Sequence, residues 1–598
     1  MIYLYLKLAV ATAVVLAPGW LLARSLGVRS VSATLAWSLV VVFGALALTF
    51  ALGSTLTLTF LVLVAVGVAA LVLGIRRGWP HLDGVPGRGI AFFWGGIVGL
   101  VIWVSAPMVQ GDGLFHLARV RKLIDLDGLS LDRVSEFADG GLHPGYAFPL
   151  WHGFLALIAN VAHEDPERVV THLPSILAPL AVVLAFEAGW ALFRHPISAA
   201  AATAAGVAVV AMAPGHGGAF TALALPATGS RQLLVPAALA LALEATRRPT
   251  LALIGSAAAA SLVLAVVHPT YALFLWIPFA GFIAVRWLWD RRDAREGALA
   301  LAALVVPAAL FFAWLLPVIS DTESVSPDQA ERDRGFAQYA GQLDGTPDSF
   351  SVVPELFGRT GAVAVAGLLL LPLAGLAARR RWAAYVVGGS LAVFAICLVP
   401  WLFTPFADVV SLSQARRLAG YLPLAFALAG GIGVLARLIG VAVLPVSLVA
   451  GILLQLAYPG DFGYTLDEGG PAWATWVAVS GAVAALIVGL RGRPPLERLA
   501  PLAAALLLLP TYVHGFANWS PSEARAASPL SDALVAAVRS NVADGETVYA
   551  DPEASYRLGA VAPIRVCVNP PGHVADTVDN RPRERVREFR RSACPRVV

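Results

Sequence analysis

The sequence has little charge for its length. Charged residues make up 13% of its 598 residues, and hydrophobic residues make up 58%. Soluble domains carry about 25% charged and roughly 45–50% apolar residues, so this chain cannot build a water-facing surface of matching size. The shortage excludes a soluble enzyme, a coiled coil and a disordered chain. Lysine occurs only as Lys7 and Lys122, and the net charge of +4 gives no reason to expect a nucleic-acid partner.

Long apolar runs take the place of the missing charge. About sixteen of them lie between Ile2 and Val513, and a membrane-spanning helix needs roughly twenty such residues. Only a helix or a closed barrel satisfies its backbone hydrogen bonds inside a bilayer. The runs therefore predict an all-α polytopic membrane protein with about sixteen transmembrane helices.

Arginines gather in alternate turns between these runs. Examples are the turns that contain Arg76 and Arg77, Arg247 and Arg248, and Arg379 to Arg381. By the positive-inside rule these turns are cytoplasmic. The other turns are longer and more acidic, namely residues 111–171, 320–360, 404–417, 458–472 and everything after 514. We therefore expect a multi-pass protein of the plasma membrane whose functional face and C-terminal domain are extracytoplasmic.

Three regions follow from this pattern. Residues 1–89 form an N-terminal extension of three transmembrane helices, and residues 90–515 form the core with its loops 111–171 and 320–360. Residues 516–598 are predicted to form a small extracytoplasmic α/β domain, because residues 544–550 and 564–568 have strand character and residues 581–591 look helical. Cys567 and Cys594 lie on the side where oxidation is permitted, so we expect a disulfide between them and a free Cys397.

Two segments of the loop 111–171 are helical without being spans. Residues 114–126 have apolar side chains on one face, which predicts an amphipathic helix on the membrane interface. Residues 148–161 are apolar but number only fourteen, and runs of that length are more often interfacial or re-entrant. We expect this second segment to lie at the outer membrane surface.

Asp112 directly follows an apolar span in the segment QGDGLFH. Its carboxylate could cap the next helix, or it could act as a general base that faces an external cavity. His116 and His143 lie in the same loop, where either could orient the base or an acceptor.

Polar residues also occur at the outer ends of later spans. Arg231, Arg416 and Arg417 lie where the positive-inside rule does not expect cations, and His268 precedes Tyr271 in the segment HPTY. Ionisable residues near the membrane are costly and often functional, so phosphate binding is one interpretation; snorkelling to lipid headgroups is the other. The loop 320–360 is long enough to form a lid.

The order of these features resembles the lipid-carrier-dependent membrane glycosyltransferases of the GT-C superfamily, such as protein O-mannosyltransferases and arabinofuranosyltransferases. A span ends in the exposed Asp112 and is followed by an amphipathic helix, the segment HPGYAFPLW (143–151), an apolar helix and a span that ends in LFR (192–194). The resemblance covers roughly residues 90–212. Residues 18–55 are also similar to uncharacterised actinobacterial membrane proteins.

The resemblance implies transfer of a sugar from a polyprenyl-phosphate donor to a cell-envelope glycan or protein acceptor, with membrane lipid around the site. It implies that Asp112 is the base, assisted by His116 and His143. The carrier phosphate would be held by Arg231, His268, Tyr271, Arg416 and Arg417.

The chain also departs from the superfamily. Three extra spans precede the span that leads into the Asp112 loop. The acidic pair of some members is Asp112–Gly113 here, so we expect no cofactor, although a divalent cation stays open. A lipid-linked saccharide flippase or other transporter, and a non-enzymatic envelope assembly protein, are the alternatives.

Overall fold

The computed structural model describes residues 2–78, 84–104, 109–126, 128–208, 220–288, 290–358, 361–460, 470–489, 498–517 and 530–591. Helices dominate it. The first half contains α1 (Ile2–Ser25), α2 (Val31–Ala51), α3 (Leu56–Arg77), α4 (Arg88–Val104), α5 (Asp112–Asp125), α6 (Leu150–Ala162), α7 (Pro166–Phe193), α8 (Pro196–Ala208), α9 (Pro226–Gly229), α10 (Val235–Ala245), α11 (Leu251–Val267) and α12 (Pro269–Trp287). The second half contains α13 (Arg291–Ser320), α14 (Gln329–Gln338), β1 (Leu343–Thr346), β2 (Ser349–Val352), α15 (Ala362–Leu376), α16 (Arg381–Leu398), α17 (Pro400–Val410), α18 (Leu412–Ala415), α19 (Leu424–Ile439), α20 (Val443–Ala457), α21 (Ala472–Gly489), α22 (Ala500–Ala517), α23 (Asp532–Asn541), β3 (Thr547–Val548), α24 (Pro552–Val561), β4 (Arg565–Val566) and α25 (Pro582–Phe589).

The chain is a helical multi-pass membrane protein. Within the described ranges, nine helical stretches are long and apolar enough to cross a membrane, and six shorter apolar helices of 10–17 residues accompany them. Within the described ranges, the predicted apolar runs fall on helices. One of these runs, residues 384–403, is divided between two helices, because α16 ends at Leu398 and α17 begins at Pro400. Proline lacks the N–H that would continue the helix, and it disfavours the helical conformation at the residue before it.

Small residues let neighbouring helices approach closely. A Cβ atom on Gly281 of α12 would lie 2.1 Å from the carbonyl oxygen of Gly388 in α16. On Gly95 of α4 it would lie 2.6 Å from the backbone of Pro179 in α7. Close backbone packing replaces the hydrophobic drive that membrane helices lack, which accounts for part of the chain's glycine content.

The arginine-rich turns meet at one end of the bundle, which we call the arginine end. Arg381 pairs with Asp293 at 2.6 Å and donates to the Thr246 hydroxyl at 2.6 Å. Arg286 also pairs with Asp293. These contacts join the α10–α11 turn, the start of α13 and the start of α16. Arg194 pairs with Glu244 in the same way between α7 and α10.

The opposite end, which we call the histidine end, contains residues 109–149, α6, residues 320–358 and residues 530–591. Strands β3 and β4 pair in parallel with α24 between them, which confirms the two predicted strands, and α25 lies within the predicted helix 581–591. Cys567 takes part in a disulfide and Cys397 is a free, buried thiol, in agreement with the prediction for these two residues. Cys594 lies outside the described residues.

Ion pairs dock the C-terminal residues onto the other segments of the histidine end. Arg585 is buried, pairs with Asp139 at 2.6 Å, and stacks 4.1 Å above the Phe137 ring. Arg583 reaches Glu331 of α14 at 3.1 Å. Three segments that are far apart in the sequence therefore form one layer over the bundle.

Helix α5 is not the interfacial helix that its sequence predicts. It is buried on nearly every side because α6 covers one face and α24 covers another. Arg121 pairs with Asp165 at 2.7 Å and Arg119 reaches Glu136 at 3.2 Å. Burial lowers the pKa of Lys122 to about 8. The periodicity showed a charged face correctly, but protein groups rather than lipid headgroups or water receive these charges.

Helix α6 is covered by protein. Its 13 residues are too few for a span, as predicted. Helices α1, α2, α5 and α7 enclose it, and its position at the outer membrane surface stays a prediction. The indole N–H of Trp151 donates to the carbonyl of Ala224 at 2.7 Å. An apolar segment alone does not reveal whether lipid or protein will cover it.

Candidate functional site

Asp112 is the first residue of α5 and forms the edge of the site. The N-cap position belongs to Gly111, whose φ of +52° suits glycine, so Asp112 is not the capping residue. Its Oδ1 atom lies 3.0 Å from Nδ1 of His573. His573 belongs to a short turn, Pro571–His573, in the C-terminal residues.

The Asp112–His573 pair is held by an aromatic neighbour. The Tyr556 ring stacks on the His573 ring with centroids 4.6 Å apart and planes 14° apart. The Tyr556 hydroxyl donates to the Gly111 carbonyl at 2.9 Å. The hydrogen bond that His573 donates to Asp112 raises the pKa of His573. Both side chains stay accessible, with exposed fractions of 39% for Asp112 and 33% for His573.

Sequence reasoning missed His573. It is the only histidine after residue 514, but no motif around it marks a site. The one available signal was its position in a segment expected on the same face as Asp112.

Four histidines surround Tyr146, and we call these five residues the histidine cluster. The Tyr146 ring centroid lies 4.9 Å from those of His116 and His143, 5.8 Å from that of His152 and 5.9 Å from that of His268. Nδ1 of His116 and Nε2 of His152 are 2.9 Å apart. The cluster joins α5, α6, the 126–149 segment and the α11–α12 turn, so it contains three of the predicted site residues.

Burial disfavours the charged form of several members of the cluster. Burial, with repulsion from Arg119, lowers the pKa of His143 well below its usual value. Burial also lowers the pKa of His152. Burial raises the pKa of Tyr146, and the charge of Asp112 adds to this effect while that of Arg417 opposes it. Tyr146 therefore lies within electrostatic reach of both Asp112 and Arg417.

A second set of aromatic residues continues from the cluster. The rings of His268 and Tyr271 stack with centroids 3.9 Å apart, and Tyr271 lies 5.5 Å from Tyr421. The Arg231 guanidinium lies 4.9 Å above the Tyr421 ring and donates to the Gly420 carbonyl. Arg231 belongs to a π-helical turn, Ser230–Leu234, and such turns are frequent at functional sites.

Arg417 belongs to the same region, and Arg416 does not. In the described part of the chain, no Asp or Glu forms an ion pair with Arg231 or Arg417; Arg417 contacts only the Gln414 amide oxygen, at 3.4 Å. Arg416 is buried instead against the 320–358 segment, where it donates to Gln342 at 2.8 Å and stacks 4.2 Å above Tyr339. The structure thus brings together the predicted site residues other than Arg416.

The 320–358 segment has its own structure. It contains α14 and the β1–β2 hairpin, and Arg332 pairs with Asp408 of α17 at 2.8 Å. It packs beside residues 416–421 through Arg416. Its role as a lid stays a prediction.

A groove of about 370 Å³ opens at the histidine end. It is lined by Leu142, Pro317, Val318, Ser320, Asp321 and Asp579. Leu142 directly precedes His143 in the chain, but among the described residues neither the histidine cluster nor the Asp112–His573 pair lines this groove. Across the described ranges, no group of three or more His, Cys, Asp or Glu side chains could hold a metal ion, and the expectation about cofactors stays a prediction.

A protein-family model matches residues 12–562, which is most of the chain. Its description is a family of unknown function, DUF6541. The chain belongs to this family. No curated protein and no solved structure matches the chain. The matched range includes Asp112, the histidine cluster, both unpaired arginines and Tyr556, and it ends before His573.

Proposed function

We propose that this protein is an integral-membrane glycosyltransferase of the GT-C type. It moves a sugar from a polyprenyl-phosphate donor to a glycan or protein acceptor of the cell envelope at the outer face of the membrane. The observation that carries the proposal is the position of Arg231 and Arg417 beside the histidine cluster. Both cations are half-buried, and neither has a carboxylate partner among the described residues.

A phosphate group would supply the compensating negative charge for these two arginines. Removing a cation from water is costly unless an anion compensates it. A guanidinium matches phosphate oxygens with two parallel hydrogen bonds. Both arginines act on the Tyr421 side chain electrostatically, so one anion placed near Tyr421 could contact both.

The route to the bilayer supports a lipid-linked donor. Phe148, two residues after Tyr146, packs 5.6 Å from Trp314 of α13. Trp314 is 46% exposed and Leu310 of the same helix is 71% exposed. An apolar carrier chain could therefore lie along α13 while its phosphate reaches the arginines.

The Asp112–His573 side of the site is suited to an acceptor hydroxyl. Glycosyl transfer needs a group that takes the proton of the acceptor hydroxyl, and the accessible Asp112–His573 pair can do so. A transporter is less well supported, because the polar side chains of this site gather at one end and not along the spans.

Binding of decaprenyl monophosphate to the purified protein in nanodiscs tests the phosphate site. Charged hydrogen bonds contribute about 1.5–3 kcal/mol each, so Arg231→Ala and Arg417→Ala should each weaken binding by roughly tenfold to a hundredfold. Arg437→Ala is the matched control, because this exposed arginine lies at the far end of α19 from Arg417. Unchanged affinity in the double variant would contradict the site.

Transfer itself is measured with a panel of labelled polyprenyl-phosphate sugars and an envelope glycan extract. Asp112→Asn should abolish transfer and leave carrier binding intact. If the unmodified protein transfers no sugar from any donor in the panel, the proposed function is wrong.

A further inference from the structure

The hydrogen bond between Asp112 and His573 sets the state of the imidazole. An ionised carboxylate only accepts hydrogen bonds, so Nδ1 of His573 carries the proton and donates it at 3.0 Å. Nε2 then holds the free lone pair. Within the described residues, no side chain or backbone group hydrogen-bonds to that nitrogen. A carboxylate that orients a histidine in this way is a general-base arrangement.

We propose that His573, and not Asp112, takes the proton of the acceptor hydroxyl, and that Asp112 is its positioning residue. This inference rests on the proposed function and assigns the general base of that reaction to His573. It also gives the C-terminal residues a direct part in the site.

The groups around His573 favour this role. Asp112 faces it from α5, and Tyr556 and Glu553 face it from α24. Both carboxylates favour the protonated imidazole, and the stacked Tyr556 ring fixes the imidazole plane. A base is most effective when its pKa lies near the working pH, and the shift of His573 is upward from its usual 6.5.

The step balances without a further reactant. The acceptor O–H bond breaks and its proton goes to Nε2. The oxygen forms a bond to the anomeric carbon of the donor, the bond from that carbon to the phosphate oxygen breaks, and the electron pair leaves with the polyprenyl phosphate. The Nδ1–H bond to Asp112 is kept, and the imidazolium returns its proton to solvent.

The base is positioned by the docked C-terminal residues. Arg121 of α5 donates to the carbonyl of Ala560 at the end of α24 at 3.0 Å. Arg585 anchors the last helix to Asp139. Since His573 lies between these two anchors in the sequence, both position it over Asp112.

Substitution at residue 573 separates the two roles. His573→Asn keeps an amide N–H close to the position of Nδ1, but it has no atom that replaces Nε2. If His573 is the base, transfer should fall by roughly a hundredfold to ten-thousandfold, while decaprenyl monophosphate binding stays unchanged and reports a folded protein. His195→Asn at the arginine end is the control. Transfer within twofold of the unmodified protein in His573→Asn would overturn the inference and leave Asp112 as the base.

A second measurement does not depend on transfer. Diethylpyrocarbonate modifies unprotonated imidazole, so the pH dependence of modification at His573, followed by mass spectrometry, reports its pKa. The midpoint pH of modification should lie above 6.5 in the protein without substitutions, and it should fall in Asp112→Asn. Equal midpoints in the unsubstituted protein and in Asp112→Asn would show that Asp112 does not control the pKa of His573, and would overturn the inference. If no donor supports transfer, the proposed function fails, whereas this titration still decides whether Asp112 controls His573.

Discussion

The two ends of the bundle treat their arginines in opposite ways. At the arginine end, Arg286 and Arg381 share the buried carboxylate of Asp293. Beside the histidine cluster, Arg231 lies over the Tyr421 ring and donates to the Gly420 carbonyl, and Arg417 donates to the Gln414 amide oxygen. Neither arginine pairs with a carboxylate among the residues that the structure describes. Paired charges hold turns together, whereas unpaired charges leave capacity for an external anion. The comparison separates the structural end from the candidate site.

The pKa values of the titratable side chains also differ within the histidine end. Histidine and tyrosine gather around Tyr146, where burial lowers the pKa of His143 and raises the pKa of Tyr146. By contrast, the hydrogen bond to Asp112 raises the pKa of His573. Environments that push similar groups apart in pKa are typical of acid–base sites.

The largest expected effect is at the arginine end. Asp293→Ala removes the carboxylate that the buried Arg286 and the partly buried Arg381 share, and it leaves Arg286 only the exposed Asp290, 3.7 Å away. Breaking a buried pair costs about 3–5 kcal/mol. Thermal unfolding in detergent should therefore show a strongly lowered midpoint or loss of the folded protein. Glu296→Ala is the control, because its partner Arg292 is 89% exposed, and we expect less than about 0.5 kcal/mol. Equal effects of the two substitutions would contradict the comparison.

The next effect concerns the sidedness of the histidine end. If Cys567 pairs with Cys594 in an oxidising compartment, the denatured chain should show one alkylatable thiol without reductant, that of Cys397, and three after reduction. Cys567→Ser should weaken the C-terminal region by about 3 kcal/mol in the chain-entropy account, measured by hydrogen exchange in α24. Three reactive thiols in protein prepared without reductant would place this end in a reducing compartment.

The smallest expected effect is on stability at the histidine end. Arg417→Gln removes a charge that pairs with no carboxylate in the described part of the chain. The free energy of unfolding should therefore change by less than about 0.5 kcal/mol, even though carrier binding falls. The thermal midpoint, measured without carrier, checks this. A loss comparable with that of Asp293→Ala would show that Arg417 is a structural residue.

Hydropathy predicted most of the helices because the signal is local. The run 31–51 coincides with α2, and the strand segments 544–550 and 564–568 contain β3 and β4. The neighbours of α5 and α6 were not predictable in this way. Their burial depends on α24 and α7, which lie far away in the sequence, and an apolar or charged face does not specify which partner covers it.

The candidate site was likewise predictable only in part from local sequence. The sequence by itself determined the multi-pass helical class, through the lack of charge and the long apolar runs, and it singled out Asp112, His143, Arg231 and His268 through polar residues at helix ends. Only the tertiary structure decided that Arg416 belongs to the 320–358 segment and that His573 meets Asp112 across 461 residues. The physical reason is that burial and helical periodicity act over a few residues, whereas a hydrogen bond between docked segments depends on how the whole chain packs.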